Sequence, residues 1–329
     1  MHILITGGAG FIGAHLARRL LDEGTRIDLI DDFSRGRLDP DLAALAEHPA
    51  VRCLERDLLA PGGLEDLAED YDLVFHLAAI VGVANVVKQP LAVLRRNVEL
   101  LLTLLDFAAR QKNLRRLVFA STSEVHAGSL LHLDLPVPTP EDAAVALPDL
   151  AQSRASYLLS KLYGEALCHH AGVPVTIVRP YNVYGPRMGM AHVVPELLQR
   201  AERTPDGGAM TVYSTGHRRA FCYVSDAVEL IVRLALAEDA LGGVYNVGNQ
   251  AEEVAIGQLA ELVAAAVGRR IAIEAGPDTP GSPARRCPDM TRTGAVTGYE
   301  ARVPLAEGLR KTYDWYRERV FRPAGMAAQ

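Results

Sequence analysis

The sequence predicts an α/β protein built on a doubly wound parallel sheet, and three observations carry that reading. Short apolar runs alternate with helical patterns from residue 2 to about residue 180, the order that a parallel sheet with crossover helices requires. The first run, His2-Ile3-Leu4-Ile5, passes straight into the glycine-rich turn Thr6-Gly7-Gly8-Ala9-Gly10-Phe11-Ile12-Gly13, and a helical pattern follows. The second run, Arg26 to Ile30, ends on an acidic residue, Asp31.

The first helix is expected over Ala14 to Glu23, where Leu16, Leu20 and Leu21 recur at helical spacing. Gly7, Gly10 and Gly13 form G-x-x-G-x-x-G, a variant of the dinucleotide fingerprint. The glycines let the backbone turn tightly against a pyrophosphate. The amino terminus of the helix then offers that anion free N–H groups and a positive dipole end, and Phe11, Ile12 and Gly13 are expected at the cofactor. Strand, loop and helix stand in the order that the fingerprint needs, so this is a Rossmann-type nucleotide site. Asp31 is expected to bind both ribose hydroxyls and to repel a 2′-phosphate, which favours NAD over NADP. Asp32 competes for that role, and Arg35 and Arg37 leave NADP open.

A third strand, Val51 to Leu54, leads to Asp57 and Leu58, expected at the adenine edge. A fourth, Leu73 to His76, leads to Leu77, Ala78 and Ala79, where small residues allow a cofactor close to the backbone. The helix Pro90 to Arg110 carries Asn97, a polar residue in an apolar pattern. It is expected to supply hydrogen bonds at the cofactor site.

The next strand, Leu117 to Ala120, runs into Ser121-Thr122-Ser123-Glu124. Ligands of open α/β sheets bind at such carboxyl ends. Tyr157 and Lys161 are four apart, hence on one face of a helix. An ammonium beside a phenol is expected to lower the tyrosine pKa and make Tyr157 a general base. Thr122 can hydrogen-bond the same substrate hydroxyl, and Glu124 adds a second acid or base. After Gly185 the pattern is less regular. The sheet continues through Pro174 to Val178 and Gly243 to Val247. Leu305 to Tyr316 reads as an amphipathic helix with Trp315 packed.

The chain has 329 residues, 49% hydrophobic and 22% charged, the composition of a soluble globular protein. A net charge of −6 argues against general nucleic-acid binding. No apolar stretch reaches the roughly 18–20 residues of a membrane span, and the amino terminus, a short strand running into glycines, is not expected to be a signal peptide. Cys53, Cys168, Cys222 and Cys287 are far apart and read as buried free thiols. No metal site is expected, and the cytoplasm is the expected compartment.

The chain resembles the extended short-chain dehydrogenases/reductases that modify nucleotide sugars. The resemblance rests on Thr6 to Gly13, His76-Leu77-Ala78-Ala79, Tyr157 with Lys161, and Arg179-Pro180-Tyr181-Asn182-Val183-Tyr184-Gly185-Pro186. It implies a Rossmann domain over residues 1–180, with its sheet completed by about 220–250. It further implies a nucleotide-sugar region over 181–320; residues 321–329 read as a disordered tail. The implied cofactor is NAD, with Tyr181 and Val183 beside it. Ser123, Glu124, Asn182, Val193, Arg219 and Arg285 would meet the nucleotide sugar, a UDP-sugar foremost. A homodimer would form through residues 90–110 and 155–171, with Leu101, Leu105 and Leu162 at the contact.

Family members oxidise the sugar at C4. The keto sugar is then re-reduced from its other face, loses water, or loses CO₂. Thr122-Ser123-Glu124 looks like the Thr-Ser-Glu of UDP-glucuronate decarboxylases and GDP-mannose 4,6-dehydratases. The stretches from Gly185 to Met190 and from Arg219 to Asp226 are similar to the decarboxylases. Decarboxylation is therefore expected, with 4-epimerisation and 4,6-dehydration as alternatives. A non-catalytic NAD-binding regulator is disfavoured, because Thr122, Tyr157 and Lys161 occur together. The chain departs from the decarboxylase pattern at His126-Ala127-Gly128, where a histidine replaces a tyrosine and the glycine comes one residue late. His126 is expected to be structural. The loop from Ser129 to Ala155 is expected to act as a lid or substrate-selecting element.

Overall fold

The computed structural model describes residues 1–36, 38–279 and 281–321. The expectations for Arg37 and for the tail from Arg322 to Gln329 fall outside the described residues. Six strands fill the first half: β1 (His2–Thr6), β2 (Arg26–Asp31), β3 (Val51–Glu55), β4 (Leu73–His76), β5 (Arg116–Ala120) and β6 (Val175–Pro180). Between them run helices α1 (Phe11–Leu21), α2 (Pro40–Ala46), α3 (Val83–Lys88), α4 (Pro90–Ala108), α5 (Ala127–His132) and α6 (Ala155–His170). The second half holds short strands: β7 (Val183–Tyr184), β8 (Ala209–Val212), β9 (Arg218–Ala220), β10 (Cys222–Tyr223), β11 (Val244–Val247), β12 (Glu253–Ala255), β13 (Ala272–Ala275) and β14 (Arg285–Arg286). Its helices are α7 (Val193–Arg203), α8 (Val224–Leu236), α9 (Ile256–Val267), α10 (Thr291–Thr297) and α11 (Leu305–Tyr316).

The main sheet has seven parallel strands in the order β11-β6-β5-β4-β1-β2-β3. The order reverses between β1 and β4, so the crevice for a ligand opens at their carboxyl ends. The predicted strands match within one or two residues at each end. Successive strand residues point to opposite faces, and both faces are covered. Ile3, Ile5, Phe75 and Val118 pack toward α1 and α8; Leu4, Val74, Leu117 and Phe119 pack toward α4 and α6. Gly164 lets α6 lie close to the sheet, since a Cβ there would stand 2.6 Å from the Phe119 ring.

The structure corrects the expected dimer contact. Leu101 and Leu105 face the sheet and are buried within one chain, and Leu162 is half-buried. The apolar residues that α4 and α6 leave uncovered are Leu91, Leu102 and Tyr163, exposed by 75%, 43% and 55%. Cys168, Cys222 and Cys287 are buried free thiols; Cys53 is half-buried. The segment 129–155 is not all loop, because α5 continues to His132 before an irregular stretch leads to α6. Trp315 packs beside Tyr316 and donates to the Asp41 carboxylate at 2.6 Å, which ties α11 to α2.

Candidate active site

Gly7 turns the chain through a left-handed backbone (φ 72°) at the end of β1. A Cβ there would stand 2.7 Å from the Ala78 nitrogen, so the glycine turn presses on the segment Leu77-Ala78-Ala79. Any side chain on Gly13 would run into the Gly7 carbonyl, and this closeness seats α1 on the turn. α1 begins at Phe11 with no capping side chain and no acidic residue in its first turn. The N–H groups of Phe11, Ile12 and Gly13 are therefore left for an anion at a positive dipole end.

Asp31 closes this cradle. Its carboxylate accepts the N–H of Ala9 at 3.0 Å and of Phe33 at 2.9 Å, which leaves lone pairs for ribose hydroxyls. Burial raises its pKa, and those N–H groups oppose the rise. Asp32 is exposed and accepts the N–H and hydroxyl of Ser34 at 3.0 and 2.6 Å, the bonds of a local turn. Arg35 donates to the Val81 carbonyl at 3.0 Å. Asp57 accepts from the Leu59 N–H and from Arg96, both at 2.9 Å, beside the buried Leu58. The cradle, with its uncapped helix start and its carboxylate at the end of β2, fits NAD.

Asn97 stands behind the cradle. It accepts the Ile80 N–H at 2.7 Å and donates to the Ile80 carbonyl and the Ser160 hydroxyl, both at 3.2 Å. It thereby pins the segment after β4 to α6. Arg187, to which the sequence reading gave no role, has a left-handed backbone (φ 68°). It pairs with Asp39 at 2.7 Å and reaches the carbonyls of Ala9 and Gly10 at 3.3 and 3.4 Å. The segment after β7 is thus fastened to the glycine turn.

Tyr157 and Lys161 lie one turn apart on α6, as their spacing predicts, but their electrostatics differ from the expectation. The Lys161 ammonium donates to the Ala120 carbonyl at 2.8 Å and lies 4.9 Å from the centre of the Phe119 ring. Burial pulls its pKa down to about 8. The Tyr157 phenol is pushed up to about 12, first by burial and then by the Glu124 charge; a hydrogen bond with Thr122 opposes this. The expected net lowering of the Tyr157 pKa is therefore not found, because burial and the Glu124 charge outweigh what favours the phenolate.

Glu124 sits in a 3₁₀ turn, Ser123–His126, and its own N–H donates to the Thr122 hydroxyl at 3.2 Å, which caps the turn. Its carboxylate accepts from Arg286 at 2.5 Å. The Arg286 charge holds it below the usual carboxylate range, with help from Arg154 and Arg219. Glu124 is thus an anion: a base or a charge, not an acid.

Arg285 turns the other way. It grips Glu253 with two bonds, at 2.6 and 2.7 Å, on the surface. Arg285 is the residue expected at the substrate, but it is its neighbour on β14, Arg286, that pairs with Glu124 and lines the cavity beside it. Arg219 is buried and spends its donors on its own surroundings: the carbonyls of Arg218 and Pro283, both at 2.7 Å, and the Ser282 hydroxyl at 2.8 Å. Asn182 takes a left-handed backbone (φ 35°) and donates to the Ala220 carbonyl at 2.9 Å, so it fixes the turn after β6. Tyr181, Val183 and Ser123 are buried, and Val193 opens α7 partly exposed.

A buried ionic bracket supports the turn that carries Glu124. The Ser121 hydroxyl donates to Glu165 at 2.5 Å, and Arg179 donates to both oxygens of Glu165 at 2.9 and 2.7 Å. This bracket joins β5, α6 and β6. His126 is fully buried 3.4 Å from Arg179. Burial and then that arginine push its pKa down to about 4, so it is a neutral packing residue. Beside Glu124 opens a cavity of about 140 Å³, lined by Leu131, Pro148, Gln152, Arg154, Arg219 and Arg286 among others. The stretch between α5 and α6 thus forms one wall.

The sequence model of the NAD dependent epimerase/dehydratase family matches residues 3–248. The UDP-N-acetyl-alpha-D-glucosaminuronate decarboxylase of Bacillus cytotoxicus is 31% identical, over 96% of this chain and 97% of the relative. UDP-glucuronic acid decarboxylase 1 of Danio rerio is 33% identical, over 95% of this chain and 72% of the relative. Among solved structures, a variant UDP-glucuronic acid 4-epimerase from Bacillus cereus, in complex with UDP-4-deoxy-4-fluoro-glucuronic acid and NAD, superposes with a TM-score of 0.82. It is 26% identical and covers 96% of this chain and 99% of its own.

Proposed function

Because this chain belongs to the NAD-dependent epimerase/dehydratase family, we propose that it decarboxylates a UDP-linked sugar acid, UDP-glucuronate foremost, through a 4-keto intermediate. The observation that carries the reading is Glu124, an ionised carboxylate paired with Arg286 beside Thr122 and Tyr157. A 4-epimerase needs only a base and a hydroxyl partner at C4. An additional anion in a cavity rich in arginine is suited to a second step at the neighbouring carbon.

Bound NAD supplies a hydride acceptor at C4 and later returns the hydride. Tyr157 takes the proton of the 4-hydroxyl, and Thr122 orients that oxygen. The C5 carboxylate is then a β-keto acid. Its C–C bond breaks, the electron pair flows into the C4 oxygen, and CO₂ leaves; C5 then takes a proton from a water held by the Glu124 carboxylate, and Tyr157 gives its proton back to the C4 oxygen as the hydride returns. Tyr157 and Thr122 hold the resulting enolate oxygen.

Incubation with UDP-glucuronate tests the reading. The expected product is lighter by one CO₂. An isomer of unchanged mass would support the second reading, 4-epimerisation, which the likeness to the Bacillus cereus enzyme favours. Loss of water would point to dehydration.

The proposal includes a homodimer in the cytoplasm. Leu91 and Leu102 are three turns apart on one face of α4, next to Tyr163 of α6, and a second copy would cover them. Four free thiols suit a reducing compartment. Light scattering at micromolar concentration should give the mass of two chains, and Leu102→Glu should shift it toward one. A wild-type mass of one chain rejects the dimer.

A further inference from the structure

Arg35 follows β2, yet its guanidinium donates to the Val81 carbonyl at 3.0 Å, in the segment that follows β4. In the sheet β1 lies between β2 and β4. The glycine turn at the end of β1 therefore lies between the two segments that this bond joins. Neighbouring strands stand roughly 5 Å apart, so the side chain spans a gap of about 10 Å across the mouth of the anion cradle. The Val81 carbonyl also accepts from Asn85 on α3, at 3.0 Å, which fixes the far end of the span.

A third segment meets the same guanidinium. A Cβ on Gly189, after β7, would stand 3.5 Å from Arg35 Nη2, and one on Gly82 would stand 3.8 Å from it. Glycine at both positions leaves room for the planar group between them. Burial and then the Arg35 charge lower the pKa of His192, at the start of α7. The same charge opposes the rise that burial imposes on Tyr157. Arg35 thus reaches from the neighbourhood of Asp31, the ribose end of the site, toward Tyr157, the end where hydride is exchanged. It is exposed and has no carboxylate partner among the described residues, so its charge is left for a ligand. A dinucleotide carries its negative charge in the pyrophosphate, midway along its length, and a guanidinium suits that anion.

We infer that Arg35 straps the cofactor crevice: it bridges the segments after β2 and β4 over the glycine turn and retains the dinucleotide through its pyrophosphate charge. The hydride taken at C4 is returned to the sugar, so a cofactor held through many turnovers serves this reaction. The inference concerns the NAD site alone and stands whether decarboxylation or epimerisation follows the oxidation.

The test is the rate of cofactor exchange. Protein loaded with NAD is mixed with an excess of isotopically labelled NAD, and the exchange is followed by native mass spectrometry. Arg35→Gln should speed the exchange by about 10-fold, the lower end of what a charge-assisted bond is worth. Added salt should speed it in the parent and change it little in Arg35→Gln, because salt screens an exposed charge. Arg35→Lys should fall between the two, with the charge kept and the fork lost. The melting temperature of the NAD-free protein and the affinity for UDP should stay as in the parent. Exchange at the parental rate in Arg35→Gln overturns the inference. A lowered melting temperature of the NAD-free variant also overturns it, since faster exchange would then follow from a loosened fold. Weaker UDP binding with unchanged exchange overturns it as well, and assigns the charge to the sugar nucleotide. None of these readouts involves turnover, so the reading of the reaction stands or falls separately.

Discussion

Replacing Tyr157 with phenylalanine should abolish NADH formation from a nucleotide sugar while leaving fold and NAD content intact. The phenylalanine ring keeps the packing of Tyr157 on α6 and removes only the hydroxyl that meets Thr122. Without it no group at C4 can accept the proton, so the first oxidation stops. A general base contributes about 10²- to 10⁴-fold, and the loss should reach the upper part of that range. The pH profile gives a second readout. The phenol is the active base only when deprotonated, and its pKa in the protein without ligand is pushed up to about 12. The value of kcat/KM should therefore rise with pH through the neutral range. It should level off as Lys161, pulled down to about 8, loses its charge. A variant that still reduces NAD at the wild-type rate would show that another group is the base.

Legibility in the sequence followed the distance over which each feature is decided. The parallel sheet was readable because β1, β4, β5 and β6 are short apolar runs, each covered on both faces. The cradle was readable because Gly7 to Gly13 and Asp31 lie in consecutive elements, and their order alone defines the site. Arg285 and Arg286 could not be told apart in that way. Adjacent residues of a strand face opposite sides, and only the pairing of β14 with β9 decides which one looks toward Glu124. Strands of two to four residues, such as β7, β10 and β14, carry no periodic pattern of their own. The direction of Lys161 was hidden for a related reason. Its spacing from Tyr157 is local, but its partner, the Ala120 carbonyl, is 41 residues away. The Ser121–Glu165–Arg179 bracket likewise joins three elements, and nothing in any one of them announces the other two.

Glu124→Gln should keep the fold and NAD binding and lose most turnover, with the loss in kcat rather than in KM. Glutamine fills the same volume and can still accept a hydrogen bond from Arg286. It cannot take a proton, and it no longer neutralises the arginine that it faces at 2.5 Å. The cavity then gains one positive charge, so an anionic sugar nucleotide should bind at least as well as before. A structural role for Glu124 would give the opposite split: a disturbed turn at Ser123–His126, weaker binding and an unchanged chemical step. The fall in kcat should be about 10²-fold or more, the usual worth of a placed proton-transfer group. The step that fails differs from the one stopped by Tyr157→Phe. Oxidation at C4 depends on Thr122, Tyr157 and Lys161, which remain in place. NADH absorbance should therefore still appear on adding UDP-glucuronate, and a 4-keto sugar should build up as carbon–carbon cleavage becomes limiting. Stopped-flow absorbance followed by product mass measures both. Unchanged turnover in Glu124→Gln would reduce the carboxylate to a partner for Arg286, and the chemistry to plain 4-epimerisation.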